Sequence, residues 1–195
     1  GDADQPKLPW RGQITTQKAP GQPGSPDGTN AAVSQVSDFM GDAQPSDFAV
    51  VNGKVVYSGP PEWRYRRFIL HYAYLCQAAG GVSAFCIGSE MRALTQIRGP
   101  NNSFPAVDAL RDLAGEVRAI LGAGTKISYA ADWSEYHGYQ PAGTADKHFH
   151  LDPLWADTNI DFIGIDNYMP LSDWREGTDH ADIGWGSIYN LDYLA

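Results

Sequence analysis

A chain of 195 residues that is 43% hydrophobic and 19% charged can bury one substantial core. Its formal net charge of -9 leaves no basic stripe for displacing counterions from a nucleic acid, and no run of about 18 apolar residues is present to span a membrane. The polar, acidic opening Gly1-Asp2-Ala3-Asp4-Gln5-Pro6 shows no signal peptide and, with no initiator methionine, does not look like a natural start. An acidic surface suits neutral or cationic partners. The two cysteines, Cys76 and Cys86, have no zinc-motif spacing and read as core thiols, so no metal is expected. Six tryptophans and ten tyrosines tilt the chain mildly toward sugar or protein partners.

In chain order, the Pro-rich opening ends in Leu8-Pro9-Trp10-Arg11-Gly12 and leads into a short strand, Gln13-Ile14-Thr15-Thr16. The prolines and glycines between Ala19 and Gly28 cannot sustain a helix or a ladder and read as a loop. A helix over 29–40 carries Val33, Val36 and Met40 on one stripe and stops at Gly41. Residues 48–57 predict a β-hairpin, because two β-branched runs flank Asn52-Gly53, a dipeptide that tolerates the positive φ angles of a type I′ turn. Two strands alone make no stable core, so the hairpin is expected to project as a decoration.

Pro60-Pro61 launches a helix over 62–79 whose stripe is Tyr65, Phe68, Ile69, Tyr72, Leu75, Cys76 and Ala79. Arg64, Arg66 and Arg67 fall largely off it and read as a solvated face; His71, also off it, reads as structural rather than catalytic. The apolar run 82–90, bounded by Gly80-Gly81, predicts a strand buried on both faces that ends in Gly88-Ser89-Glu90. Glu90 either begins the next helix, where an acid suits the helix dipole, or stands at the carboxyl end of a strand, where parallel α/β proteins place their chemistry. A helical turn over 91–97 and a loop over 99–103 follow. The next helix spans 105–121, with Pro105 in its first turn and Val107, Leu110, Leu113, Ala114, Val117 and Leu121 buried. A strand over 126–132 ends in Asp132-Trp133-Ser134-Glu135-Tyr136. A short amphipathic helix covers 148–157 with Leu151, Leu154 and Trp155, and a buried strand over 160–168 ends in Asp166-Asn167-Tyr168. From Met169 the chain is loop-like until Tyr189–Leu194 begins to look helical.

Strand and helix therefore alternate, which means parallel α/β. Three strand ends carry side chains suited to chemistry: Glu90, Asp132 with Trp133, and Asp166 with Tyr168. Contributions from several consecutive strands are what a (β/α)₈ barrel gives, whereas a doubly wound sheet concentrates them at one switch point. Neither a G-x-G-x-x-G nor a P-loop opens any helix, which weakens a nucleotide-binding reading.

Phe85-Cys86-Ile87-Gly88-Ser89-Glu90-Met91, Tyr129-Ala130-Ala131-Asp132-Trp133 and Asp161-Phe162-Ile163-Gly164-Ile165-Asp166-Asn167-Tyr168 resemble the fourth, fifth and sixth strands of retaining, two-glutamate barrel glycoside hydrolases. With Pro9-Trp10-Arg11-Gly12 and Pro23-Gly24-Ser25-Pro26-Asp27, they resemble more closely the glycoside-hydrolase TIM-barrel-like domain of phage and gene-transfer-agent tail hub proteins, the baseplate or host-specificity proteins. The resemblance implies a (β/α)₈ TIM barrel of glycoside-hydrolase type. At about 250 residues for such a barrel, residues 1–195 form a single partial barrel domain holding strands three to six. The hairpin is then an insertion between strands three and four, on the active-site side.

The same resemblance implies that Glu90 is the acid/base and that the nucleophile stands on a seventh strand beyond this chain, so that the segment alone is inactive. It makes Trp133 and Tyr136 stacking platforms and Asp132, Glu135 and Asp166 acceptors for sugar hydroxyls. Tyr168 falls where relatives place an aromatic hydroxyl beside the nucleophile. Asp132 and Asp166 can equally cap loops, and Trp133 can be core. Ser89 departs from the family, where many relatives carry Asn. No cofactor and no metal are implied. The implied partners are other tail or baseplate proteins and a cell-surface polysaccharide or peptidoglycan, with no nucleic acid and no membrane span, in a virion or gene-transfer-agent tail. Two functions stay open: cleavage or gripping of a surface glycan during host attachment, and a catalytically inactive structural barrel.

Overall fold

The computed structural model describes residues 10–168 and 172–195. After a 3-10 turn at Arg11–Gln13 come helix α1 (Asn30–Met40), strands β1 (Phe48–Val51) and β2 (Lys54–Tyr57), and helix α2 (Tyr65–Ala78). Then follow β3 (Ala84–Ser89), α3 (Arg92–Thr95), α4 (Pro105–Leu121), β4 (Lys126–Asp132), α5 (Asp152–Trp155), β5 (Gly164–Asp166) and α6 (Leu191–Leu194). Among the described residues, no helix is long and apolar enough to cross a membrane.

The hairpin pairs β1 with β2 around Asn52 and Gly53, both at positive φ as a type I′ turn requires. The other sheet is parallel, in the order β3-β4-β5, so the three strands read from sequence are neighbours running the same way. It does not close into a barrel among the described residues. Three parallel strands form among the described residues, and the stretch expected to supply an earlier one, Gln13–Thr16, leaves a 3-10 turn for irregular chain.

Helix α4, the connection from β3 to β4, is the centre of the core. Leu110, Leu113, Ala114 and Val117 are fully buried, packed in one cluster with Ile87 of β3 and Ile127, Tyr129 and Ala131 of β4. Pro105 opens the helix, and Gly122 ends it at φ 76, a conformation costly for any residue with a Cβ.

The opposite face of the sheet is open. Ala84 and Cys86 point to that side and are exposed; Ile165, paired with Ala131, lies on the α4 side of the sheet, where it and Ile163 are exposed at the β5 edge. The strand over 82–90 is therefore an edge strand covered on one face, and Cys86 is an exposed thiol rather than a core one; Cys76 is only half-buried. The strand expected over 160–168 shrinks to Gly164–Asp166; before it, one backbone bond from the Asp161 amide to the Ile127 carbonyl (2.8 Å) is joined by side-chain bonds. The Asp161 carboxylate accepts the Ile127 amide (2.8 Å) and Arg118, and the Ser128 hydroxyl donates to the Phe162 carbonyl. Gly164 is required where β5 begins, since a Cβ there would lie 2.8 Å from the Tyr129 carbonyl oxygen.

Helix α2 buries a different face from the expected stripe. Ile69, Leu70 and Ala73 are buried, while Phe68, Tyr72 and Leu75 are exposed. Its rotation is set by α4: Arg66 pairs with Glu116 at 2.7 Å, and the Gln77 side chain donates to the Ile120 carbonyl at 2.8 Å. Arg66 is thus an interhelical tie, and Arg67 lies between the rings of Tyr57 and Trp63, 3.9 Å from each centroid. The hairpin does not project freely from the fold. It docks on α2, with Phe48 buried against Tyr57 and Tyr74, and the Tyr74 hydroxyl donating to the Pro45 carbonyl at 2.9 Å. The helix expected over 148–157 is one turn, though Leu151 and Leu154 are buried as expected. Of the loop expected from Met169, the first three residues lie outside the described residues; Ala181–Trp185 forms a 3-10 turn.

Candidate functional site at the carboxyl ends of the strands

Strand β3 ends where Gly88 passes close under a neighbour: a Cβ there would meet the Tyr65 hydroxyl at 2.7 Å and Met91 at 2.8 Å. Two residues on, Glu90 takes φ 52 and is only 6% exposed. A non-glycine residue in this region that is neither Asn nor Asp is uncommon and persists only where the surroundings hold it.

The Glu90 carboxylate is held from the start of the chain. Trp10 donates its indole Nε1–H to Oε2 at 2.9 Å, and Arg11 Nη2 approaches the same oxygen at 3.2 Å. Arg11 also donates from Nε to the Ser89 carbonyl (2.7 Å) and from Nη2 to Ser89 Oγ (3.1 Å), and the Ser89 hydroxyl donates to Asp166 Oδ2 at 2.7 Å. Gly12 makes this clamp possible, because any Cβ there would lie 2.3 Å from the Trp10 ring. Ser89 therefore links Arg11 to Asp166, so three segments about 80 residues apart converge on one cluster.

Trp10 and Arg11 carried no site role in the sequence reading. Their only signal was the Trp-Arg-Gly run in the Pro-rich opening, and nothing local ties that run to a glutamate so far along the chain.

The remaining candidates separate by burial. Asp166 faces the cluster, as its bond from Ser89 shows, and its backbone carbonyl accepts the Trp133 amide at 3.1 Å, locking the ends of β4 and β5 together. Asp132 is buried, and its Oδ2 accepts both the amide (2.8 Å) and the hydroxyl of Ser134. It caps the loop after β4, which was one of its two open readings. Trp133 and Tyr136 are partly exposed, and Tyr168 is 68% exposed, so all three can offer a ring to a ligand.

Glu135 is a correction. It is completely buried and cannot accept a bond from a sugar hydroxyl. Its carboxylate accepts from Thr95 Oγ1 (2.6 Å), from the Tyr129 hydroxyl (2.9 and 3.1 Å) and from the Asp132 amide (3.0 Å). Burial pushes the carboxyl of Glu135 above the usual carboxylate range, opposed by those three donors. Beside it, His150 Nε2 lies 3.4 Å from Thr95 Oγ1, and burial drives this imidazole down to about 4. It is therefore neutral at physiological pH.

The arrangement offers one strand-end carboxylate with fixed N–H donors, a second carboxylate linked to it through Ser89 and Arg11, and aromatic rings at the ends of the same strands. Such a set presents hydrogen-bonding and stacking groups at one end of the sheet. Residues 63–195 match the family model described as the GTA TIM-barrel-like domain, which is most of the chain and contains Glu90, Asp132 and Asp166 but neither Trp10 nor Arg11. No curated protein matches the chain.

Proposed function

We propose that this chain, which belongs to the GTA TIM-barrel-like domain family, engages a cell-surface glycan as part of the tail hub of a phage or gene-transfer-agent particle. In this reading Glu90 is the general acid/base of a retaining glycoside hydrolase. The observation that carries the reading is the placement of Glu90: buried, at positive φ, at the carboxyl end of β3, with Asp166 at the same end of the sheet.

Retaining hydrolysis needs a second carboxylate about 5–5.5 Å from the acid, to attack the anomeric carbon and form a glycosyl-enzyme that water then releases. Asp132 is committed to its loop and Glu135 is buried, so neither serves. The nucleophile comes, in this reading, from a further strand of a closed barrel. Trp133, Tyr136 and Tyr168 stack on sugar rings, and Asp166 accepts from a sugar hydroxyl while Ser89 keeps it in place.

A second reading has its own support. Glu90 Oε2 already accepts from Trp10 and Arg11, a donor set that suits a fixed carboxylate in a structural or purely glycan-gripping barrel. Proton delivery to a leaving group has to use Oε1 or follow release of Arg11. A screen of the polypeptide carrying this domain against purified sacculi and surface polysaccharides separates the two. Release of reducing ends supports the hydrolase, and binding without cleavage supports the gripping barrel. If the glycans are neither cleaved nor bound, the role is structural.

A further inference from the structure

The strained conformation of Glu90 has a specific support. The φ of a residue is fixed by the peptide plane before its Cα and ψ by the plane after it. Strand β4 holds both planes: the Glu90 amide donates to the Ala130 carbonyl at 2.8 Å, and the Met91 amide donates to the Tyr129 hydroxyl oxygen at 2.7 Å. A phenol carries one proton. Since the Tyr129 oxygen accepts from Met91, its own proton goes to Glu135, whose carboxylate oxygens lie 2.9 and 3.1 Å away. Thr95 and the Asp132 amide fix that carboxylate in turn. Tyr129 and Glu135 are both fully buried, so water does not compete for these bonds.

We infer that Glu135, acting through the Tyr129 hydroxyl, is a positioning residue for Glu90. Its carboxylate holds the phenol proton, which keeps the phenol oxygen aimed at the Met91 amide and the strand-end turn locked, with the Glu90 carboxylate against Trp10 and Arg11. Its catalytic meaning rests on the reading of Glu90 proposed above, but the geometry does not.

The test therefore uses a signal that needs no glycan. The Trp10 indole N–H donates to Glu90, so its ¹H–¹⁵N resonance, assigned with Trp10→Phe, reports where that carboxylate sits. In the full chain, Glu90→Gln moves this resonance and sets the scale. Tyr129→Phe and Glu135→Gln are expected to move it as well. His150→Phe is expected to leave it in place, because His150 borders the cluster through Thr95 (3.4 Å) and is no part of the Met91–Tyr129–Glu135 chain.

A folded Tyr129→Phe with an unmoved Trp10 signal overturns the inference, and so does an equal shift in His150→Phe. Should the Tyr129 and Glu135 variants not fold, hydrogen exchange on the wild-type chain decides. A Met91 amide protected like those of β4 supports the relay, and one exchanging like an exposed loop amide overturns it. If the glycan screen shows cleavage, Tyr129→Phe is further expected to lower kcat about 10–100-fold with KM held, the signature of a displaced catalytic group. If the screen shows none, the hydrolase reading falls while the Trp10 signal still judges the relay.

Discussion

Glu90 and Glu135 stand just beyond the carboxyl ends of neighbouring parallel strands, yet the protein uses them in different ways. Glu90 meets two donors from the outer turn at Trp10 and Arg11, and the Arg11 side chain is about half exposed. Glu135 meets a hydroxyl, a phenol and a backbone amide in a dry pocket between β4, α3 and the loop after β4. Residue type and strand position do not assign a role. The depth of the carboxylate and the side from which its donors come do. A glutamate held from outside can exchange its partners for a ligand, whereas one held from inside acts only through the groups it holds.

The contrast breaks most visibly if the inner site is emptied. Glu135→Ala leaves Thr95, Tyr129 and the Asp132 amide without their acceptor in a buried place, at about 1–3 kcal/mol for each group left unsatisfied. Partial relaxation keeps the total near about 3–4 kcal/mol, read as a fall in the denaturation midpoint with unchanged slope. A loss below about 1 kcal/mol means that Glu135 is no anchor.

Acid is the next lever on the inner site. His150 is held far below its unfolded value of 6.5, to about 4, chiefly by burial. Stability from keeping it neutral is complete above pH 6.5 and is lost as the pH falls toward 4, to a total of about 3 kcal/mol. Glu135, raised by burial, works in the opposite sense: its contribution is full at low pH and is lost as the pH rises through its folded value. The comparison of wild type with His150→Phe isolates the histidine. The wild type is expected to lose stability between pH 6.5 and 4 relative to the variant, and parallel curves contradict this.

The outer site predicts the smallest effect on stability. Arg11→Ala removes a half-exposed ion pair and is expected to cost about 1 kcal/mol or less, while freeing Glu90 Oε2 of one donor. A loss of several kcal/mol places Arg11 with the fold rather than with the site.

How much of this was legible in the sequence depended on how local the signal was. The bounds of α4 and β4 were readable to the residue, because Pro105, Gly122 and the apolar periods lie within the elements themselves. The hairpin followed from two β-branched runs on either side of Asn52-Gly53. The adjacency of β3, β4 and β5, and with it the shared end carrying Glu90 and Asp166, followed from the alternation of strand and helix. The buried face of α2 did not, because apolar residues lie on two sides of it and contact with α4 through Arg66 and Gln77 chooses between them. Cys86 sits in a run as apolar as a central strand, but its face of the sheet is uncovered. Glu135 looked like a surface acid because the sequence gives charge and not depth. Trp10 and Arg11 reach Glu90 only through the folded chain.

The central claim is that the outer glutamate does chemistry on a glycan. Its most direct test is turnover of a susceptible sacculus or surface polysaccharide by the polypeptide carrying this domain, compared with its Glu90→Gln variant, with glycan binding measured alongside. The account predicts a fall in turnover of about 10²–10⁴-fold with binding retained; a Glu90→Gln variant that cleaves as fast as wild type contradicts it.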